Sequence, residues 1–157
     1  MKTIGFPKYK SVKVDKKKVK AMTLSKAKKQ AWDAFSRFIR LRDCWNDTES
    51  LEAHCITCNR VYTFGKGLQA GHFQSGRHTS ILLDEEQVYA QCQICNRWRK
   101  GMWPEYYEFM VKKYGLEKVQ YMIAHRNDVK QYKVADYLRL EQEYKDKARV
   151  FEERLGL

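Results

Sequence analysis

The sequence predicts an α+β protein in which helices dominate and a small β-hairpin lies beside a metal-binding knuckle. Two Cys-x-x-Cys pairs, Cys55–Cys58 and Cys92–Cys95, enclose a glycine-containing segment of β-forming residues. Apolar residues at spacings of three and four predict amphipathic helices on both sides of that segment. No internal repeat is evident, so the chain is interpreted as one domain or a small core with appendages.

Composition limits the class of partner. Hydrophobic residues make up 43% of the 157 residues, which suffices for a modest core that a bound metal would reinforce. The formal net charge of +12 makes a polyanion the expected partner. The sequence has neither an apolar run long enough to span a membrane nor a signal-peptide core, so we expect no membrane association.

The first 22 residues are predicted to form a flexible basic arm. Residues 1–20 carry eight lysines against the single Asp15, and such a block cannot bury enough apolar surface to fold alone. Because phosphates attract a mobile cationic segment, Lys16, Lys17 and Lys18 are candidate nucleic-acid contacts. The alternative is a solubilising tail.

A long amphipathic helix is predicted after the arm. From Thr23 to Arg42, apolar residues recur at helical spacing with lysines and arginines between them, and Thr23 or Ser25 can cap the first turn. The helix therefore has one apolar face and one basic face. The polar, acidic residues 43–53 predict a loop after it.

The segment between the cysteine pairs predicts a β-hairpin. Val61–Phe73 contains three glycines among β-forming residues, and its turn is expected near residues 65–67. His72 would lie at or just past the end of the returning strand. A loop is predicted at residues 75–79.

The second cysteine pair should open a short helix. Residues 84–91 lead into it, and Asn96, Arg97 and Arg99 would lie on it before Gly101 ends it. A histidine on the hairpin and an asparagine on this helix would then face a common cleft.

Three further helices are expected towards the C-terminus. Pro104 and Gly115 have the positions of a first-turn proline and a terminator, and a short helix follows over residues 116–125. The long amphipathic helix over 133–155 must dock either on its own domain or on a second subunit, which would give a homodimer. The expected regions are a basic arm at 1–22, a zinc-stabilised domain at 23–132 and a C-terminal helix at 133–157.

The four paired cysteines predict a structural zinc site of the treble-clef kind. Cys55, Cys58, Cys92 and Cys95 have the spacing of four thiolate ligands around tetrahedral Zn²⁺. Two disulfides would require an oxidising compartment, and a redox Cys-x-x-Cys would normally stand alone beside a βαβ pattern. Cys44 is interpreted as a spare thiol.

A ββα unit with a histidine on the hairpin and a metal-binding side chain on the helix can hydrolyse phosphodiesters with one divalent ion. The histidine would deprotonate the attacking water, and the ion would stabilise charge on the phosphate. An amide oxygen such as that of Asn96 suits Mg²⁺ or Mn²⁺. The alternative for His72 is that it only caps the hairpin.

A family resemblance covers well over half of the chain. From Trp32 to about Val119, the segments FIRLRD, CITC, QAGHFQSGRH, DEEQVYAQCQICN and YYEFMVKKYG resemble the NinG (Rap) proteins of lambdoid and related phages, which belong to the HNH or His-Me finger nucleases. An asparagine directly after the last zinc cysteine is also similar to the phage resolvase endonuclease VII.

The resemblance implies a phage recombination endonuclease that works in the bacterial cytoplasm. Its substrates would be branched DNA such as D-loops and Holliday junctions, and its structural zinc would be separate from a catalytic Mg²⁺ or Mn²⁺. Arg77, Arg97, Arg99 and Lys100 are candidate DNA contacts. Duplex DNA and host or phage recombination proteins are further candidate partners.

The sequence departs from the family pattern at three positions. Leu82 replaces an arginine, Gln87 replaces the middle asparagine of the HNH signature, and Met102 replaces the asparagine of a Gly-Asn pair. Gln87 still offers an amide that can orient the backbone or the histidine. These departures favour the alternative function, a zinc-containing DNA-binding or recruitment module with weak or no catalysis.

The roles of the two nearby histidines remain open in the sequence. In one interpretation His72 is the general base, while Asn96, water and His78 bind the metal. In the other, His72 is a metal ligand and His78 is the base. The candidate catalytic set is therefore His72, His78, Gln87 and Asn96.

Overall fold

A computed structural model describes residues 15–75 and 79–157. The described helices are α1 (Lys16–Ala21), α2 (Leu24–Thr48), a π-helical turn (Ile94–Trp98), α3 (Trp103–Tyr114), α4 (Leu116–Ala124) and α5 (Val134–Leu155). The described strands are β1 (Glu52–His54), β2 (Val61–Thr63), β3 (Leu68–His72) and β4 (Val88–Cys92). The mixed, mainly helical class predicted from the sequence is confirmed.

The two long helices, α2 and α5, pack against each other and form the main core. Phe35 and Phe38 of α2 are fully buried, and Tyr144 of α5 meets Phe35 edge-on at 4.8 Å between ring centroids. Phe151, about two turns further along α5, has its ring centroid 6.0 Å from that of Phe38. The apolar face of α5 is therefore covered by its own chain, and its packing does not require a second subunit.

Helix α2 is longer than the sequence suggested, and the prediction of a loop over residues 43–53 was wrong. The helix continues to Thr48 and ends where Glu49 adopts a left-handed conformation, after which β1 begins. Its polar last turns are held by strand β4, because Asp43 Oδ2 accepts a hydrogen bond of 2.7 Å from the Ala90 amide. This tertiary contact stabilises helical structure in a segment whose polar residues alone predicted a loop.

The predicted hairpin within residues 61–73 was also wrong in its pairing. Strand β2 pairs antiparallel with β1, and β3 pairs antiparallel with β4, so that His72 lies opposite Val88. Gly65 and Gly67 do turn the chain with positive φ, but the turn leads from one small sheet to the other. This pairing brings the two cysteine pairs together.

The short helix predicted after the second cysteine pair is a single π-helical turn. Three consecutive residues after it, Lys100, Gly101 and Met102, have φ values of 51°, 87° and 48°. Such left-handed backbone reverses the chain abruptly, so α3 begins immediately behind the turn. The three predicted C-terminal helices are present as α3, α4 and α5.

Only the C-terminal part of the predicted basic arm lies within the described residues. Lys16–Ala21 forms α1, which Asp15 caps by accepting a hydrogen bond from the Lys17 amide. The Nζ atom of Lys18 lies 3.7 Å from Oε2 of Glu141 in α5. Residues 1–14 lie outside the described ranges. Across residues 15–75 and 79–157, no helix combines the length and apolar character needed to cross a bilayer.

Candidate functional site

The four paired cysteines form one cluster. Cys55 and Cys58 come from the tight turn between β1 and β2, while Cys92 ends β4 and Cys95 lies on the π-helical turn. All four Sγ atoms lie within 4.8 Å of one another. In a tetrahedral zinc site with Zn–S distances of about 2.3 Å, the sulfurs would stand roughly 3.8 Å apart. The cluster can hold a metal ion such as zinc.

The thiols of this cluster differ in acidity. Burial raises the pKa of Cys95 to about 12. Burial opposes ionisation of Cys55 as well, but hydrogen bonds from Thr57 and backbone groups outweigh it and lower the pKa to about 7. A divalent ion would stabilise all four as thiolates, which the protein alone does not do for Cys95.

Beside this cluster lies a cleft of about 770 Å³ that brings His72 and Asn96 together. His72 reaches it from the end of β3, and Asn96 reaches it from the π-helical turn directly after Cys95. The cleft is also lined by Trp32, Ser36, Arg40, Leu68, Gln69, Ala70, Phe73, Gln74, Ser75, Arg97, Lys100, Gly101 and Trp103. The cleft expected from the sequence is therefore present.

The imidazole of His72 is held from two sides. Its ring stacks on Trp32 of α2, with centroids 4.9 Å apart and planes inclined by 19°. Its Nε2 lies 3.1 Å from the carbonyl oxygen of Leu82. Because a carbonyl can only accept, Nε2 carries the proton, and in the neutral ring the lone pair belongs to Nδ1.

The side chain of Asn96 is oriented by a neighbouring amide. Its Nδ2 donates a hydrogen bond of 2.8 Å to Gln69 Oε1. Its Oδ1 lies 3.2 Å from the position that a Cβ atom on Gly71 would occupy. The amide oxygen of Asn96 thus points towards the backbone of β3 next to His72, where it can act as an acceptor or a metal ligand.

Gln91 connects the cysteine cluster to the cleft. It is fully buried on β4, and its Nε2 donates to Thr57 Oγ1 at 3.2 Å and to the Gly101 carbonyl at 2.8 Å. Its Oε1 lies against Gly71, so closely that a side chain could not be added there without displacing it. This contact explains why residue 71, directly before His72, is a glycine.

Gln87 lies in a buried polar network and does not line the cleft. Its Nε2 donates to Asp84 Oδ2 at 2.8 Å, and its Oε1 accepts from Gln74 Nε2 at 2.5 Å. Gln74, which does line the cleft, donates as well to the Met122 carbonyl. Among the described residues, the Gln87 side chain therefore reaches the cleft lining through Gln74.

The cationic candidates lie on the rim of the cleft. Arg97 and Lys100 line it, while Arg99 is exposed just outside. Arg40 adds a guanidinium from α2, and burial, together with the charge of Arg37, lowers its pKa. Of the other candidates, Lys16, Lys17 and Lys18 belong to α1, and Arg77 and His78 lie outside the described residues.

Sequence reasoning missed the residues that hold the site. Trp32 is indistinguishable by periodicity from a core residue of α2, and Gln69 and Gln91 alternate along their strands without any motif. The one available signal was the polar Gln91 within the otherwise apolar strand Val88–Cys92, together with the polar Gln87 directly before it. Buried polar residues require partners, so such a run predicts an internal network.

The comparison with protein families now bears on this site. The family model described as Bacteriophage Lambda NinG protein matches residues 7–154. The chain belongs to the NinG family. No curated protein and no solved structure shows significant similarity to it. Membership of NinG, a phage protein family, supports a role in phage recombination.

Besides Gln87, the two positions at which the sequence departs from the expected family pattern are Leu82 and Met102, and they have different places in the structure. The side chain of Leu82 is buried, but its backbone carbonyl binds His72, which any residue at this position could do. Met102 caps α3 with a left-handed backbone, a conformation that asparagine adopts more readily. Neither departure removes a polar side chain from the cleft lining.

Proposed function

We propose that this NinG protein is a structure-selective, divalent-metal-dependent DNA endonuclease of the HNH type, acting on branched recombination intermediates. The observation that carries the proposal is the convergence of His72 and Asn96 in one cleft with a cationic rim. The order of β3, β4 and a helical turn, with histidine on the first strand and an amide on the turn, agrees with a ββα nuclease core.

In this proposal His72 is the general base. The Leu82 carbonyl holds the proton on Nε2, so Nδ1 is the atom that can take a proton from water. The same carbonyl stabilises the imidazolium that results, because an N–H donor of a cation forms a stronger hydrogen bond. The indole of Trp32 fixes the plane of the ring, which limits the directions from which water can approach.

Asn96 is the proposed protein ligand of Mg²⁺ or Mn²⁺. None of the described residues that line the cleft is a carboxylate, so the oxygen and nitrogen ligands that these residues offer to a metal are neutral. A hard cation prefers oxygen, and phosphate oxygens of bound DNA would complete the set around Asn96 Oδ1. Bound there, the ion would stabilise charge on the scissile phosphate and the leaving oxygen.

The cysteine cluster has a structural part in this scheme, with zinc as the proposed metal. Cys95 and Asn96 are adjacent, so a metal that fixes Cys95 also fixes the backbone position from which the Asn96 side chain extends. Gln91 transmits the same restraint to β3 through Gly71. Arg97, Arg99 and Lys100, which continue the same turn, would hold the DNA backbone.

The experiment is a cleavage assay with end-labelled DNA of one sequence. The full chain is incubated with a four-way junction, a D-loop, a linear duplex and a single strand, each in Mg²⁺, Mn²⁺ or Ca²⁺. We expect branched DNA to be cut in Mg²⁺ or Mn²⁺ and Asn96→Ala to lose this cleavage. Gln93→Ala, which removes an exposed amide directly before the same turn and outside the cleft, is the matched control and should cut normally.

The second candidate is a DNA-binding or recruitment module without turnover. One observation favours it, namely the absence of carboxylates among the described residues of the cleft. Such a module would bind junctions with or without Mg²⁺ or Mn²⁺ and would leave every substrate intact. Tight binding without any cut product in either metal would therefore replace the nuclease proposal with this one.

A further inference from the structure

Trp98 is an indole that contributes almost nothing to the fold. It ends the π-helical turn next to the cleft, and 76% of its surface is exposed. Exposed tryptophan is unfavourable in water, and at binding surfaces it supplies a large, rigid contact area. We propose that Trp98 stacks on base faces that DNA exposes where its duplex is interrupted, and thereby selects branched substrates. This inference rests on the proposed DNA substrate.

The backbone that carries Trp98 is fixed. The Arg99 amide donates to the Ile94 carbonyl at 2.8 Å, closing the turn, and the Gly101 amide donates to the Cys95 carbonyl at 2.8 Å. Cys95 is itself buried in the cysteine cluster. With the backbone held, only the two side-chain torsions of the indole remain to be ordered on binding, which favours its use as a stacking platform.

The charges around Trp98 favour a polyanion over a protein partner. Arg97, Arg99 and Lys100 are all exposed, and none forms an ion pair with any residue within 15–75 or 79–157. Three cations and one aromatic ring within four residues match the combination that single strands and open bases require, in which cations follow phosphates and rings stack on bases.

A second indole, Trp103, lines the cleft itself. Trp103 is 49% exposed and lines the cleft with His72 and Asn96, while its ring stacks on Phe73 at 6.2 Å. Because Phe73 already covers part of it, Trp103 has less free surface than Trp98. Trp98 is therefore the indole with room for a base.

The geometry of DNA turns this contact into selectivity. In an intact duplex each base face is covered by its neighbour, so Trp98 could meet only the backbone and the grooves. At a branch point where the arms separate, a base pair loses its stacking neighbour and exposes a face. Stacking on one base changes affinity by roughly tenfold to a hundredfold, and only branched or open DNA would gain it.

The test measures binding without cleavage, using the full chain in Ca²⁺. The probes are a four-way junction and a linear duplex of the same sequence, each with 2-aminopurine at the branch position or its duplex equivalent. For Trp98→Ala we expect roughly tenfold weaker junction binding, duplex binding within about twofold of the unmodified protein, and loss of 2-aminopurine quenching. Trp98→Phe should bind the junction with an affinity between those of the unmodified protein and Trp98→Ala, because phenylalanine keeps a smaller ring.

Tyr121→Ala is the control, since Tyr121 is a 58% exposed aromatic residue on α4 that does not line the cleft. It should leave both affinities unchanged. Equal weakening of junction and duplex by Trp98→Ala, or unchanged junction binding, would overturn the proposal. Because Ca²⁺ replaces the catalytic ion, a protein that binds selectively through Trp98 but never cuts would refute only the nuclease proposal.

Discussion

The side-chain oxygen of Gln91 occupies the space that a Cβ atom on Gly71 would need. Gly71 precedes His72 on β3, and Gln91 precedes Cys92 on β4, so this contact joins the catalytic candidates to the metal cluster. The φ angle of Gly71 is not positive, and the glycine is therefore required for space and not for backbone conformation.

Gly71→Ala is expected to destabilise the protein by about 1–3 kcal/mol, the usual cost of overpacking. The clash falls on Gln91, so the same substitution should cost less in a Gln91→Ala background. Urea unfolding of the four members of this double-mutant cycle measures the coupling. Additive effects would mean that the two residues do not touch.

A second prediction concerns the metal cluster. Cys58→Ser should release one zinc per chain and leave the protein insoluble or without fixed tertiary structure, because structural zinc contributes on the order of 10 kcal/mol to folding. Elemental analysis and near-UV circular dichroism measure the two effects. Cys44→Ala is the control, since Cys44 is buried but does not belong to the cluster. Folded, unmodified protein without zinc would contradict the assignment.

A third prediction follows from the left-handed backbone at Met102, whose φ is 48°. Met102→Asn should be about 1 kcal/mol more stable than Met102→Ala, because both variants lose the Met102 side chain but asparagine adopts this conformation more easily. Met102→Ala keeps the unfavourable backbone and removes side-chain contacts with the cysteine cluster, so it should be destabilising. Thermal unfolding that ranks the two variants in the opposite order would refute this explanation.

A fourth prediction concerns the basic arm. Deleting residues 1–14 removes Lys2, Lys8, Lys10 and Lys13, and each lysine that neutralises a phosphate contributes roughly 0.9 to the slope of log affinity against log salt. The slope should therefore flatten by up to about 3–4, similarly for duplex and junction DNA.

A variant with these four lysines changed to glutamine serves as the control for chain length. It should reproduce the deletion, because charge and not length is responsible. An unchanged slope combined with a lost preference for branched DNA would mean that the arm recognises the DNA structure.

Local spacing predicted the parts of the site that depend on neighbouring residues. The cysteine pairs and the position of Asn96 after Cys95 were recognisable because ligand spacing within a turn is short-range. The C-terminal helices were likewise predicted from periodicity and from Gly115. These features need no knowledge of which strands pair.

Long-range pairing was not predictable in the same way. A glycine-rich turn near Gly65 suggested one hairpin, but the closure of two cysteine pairs around a common centre assigns β2 and β3 to different partners. The stacking of Trp32 on His72 depends on how α2 crosses the sheet, which nothing near residue 32 encodes. The polar end of α2 was mistaken for a loop for the same reason.

Single-turnover cleavage of a saturating four-way junction in Mn²⁺ measures whether His72 performs the proton transfer in a hydrolytic cleft. His72→Ala should cut roughly 100- to 10,000-fold more slowly while binding the junction normally, because the imidazole acts in the transition state. His125→Ala, which removes a histidine at the end of α4 outside the cleft, should cut at the unmodified rate. Cleavage by His72→Ala at the unmodified rate would mean that His72 does not transfer the proton.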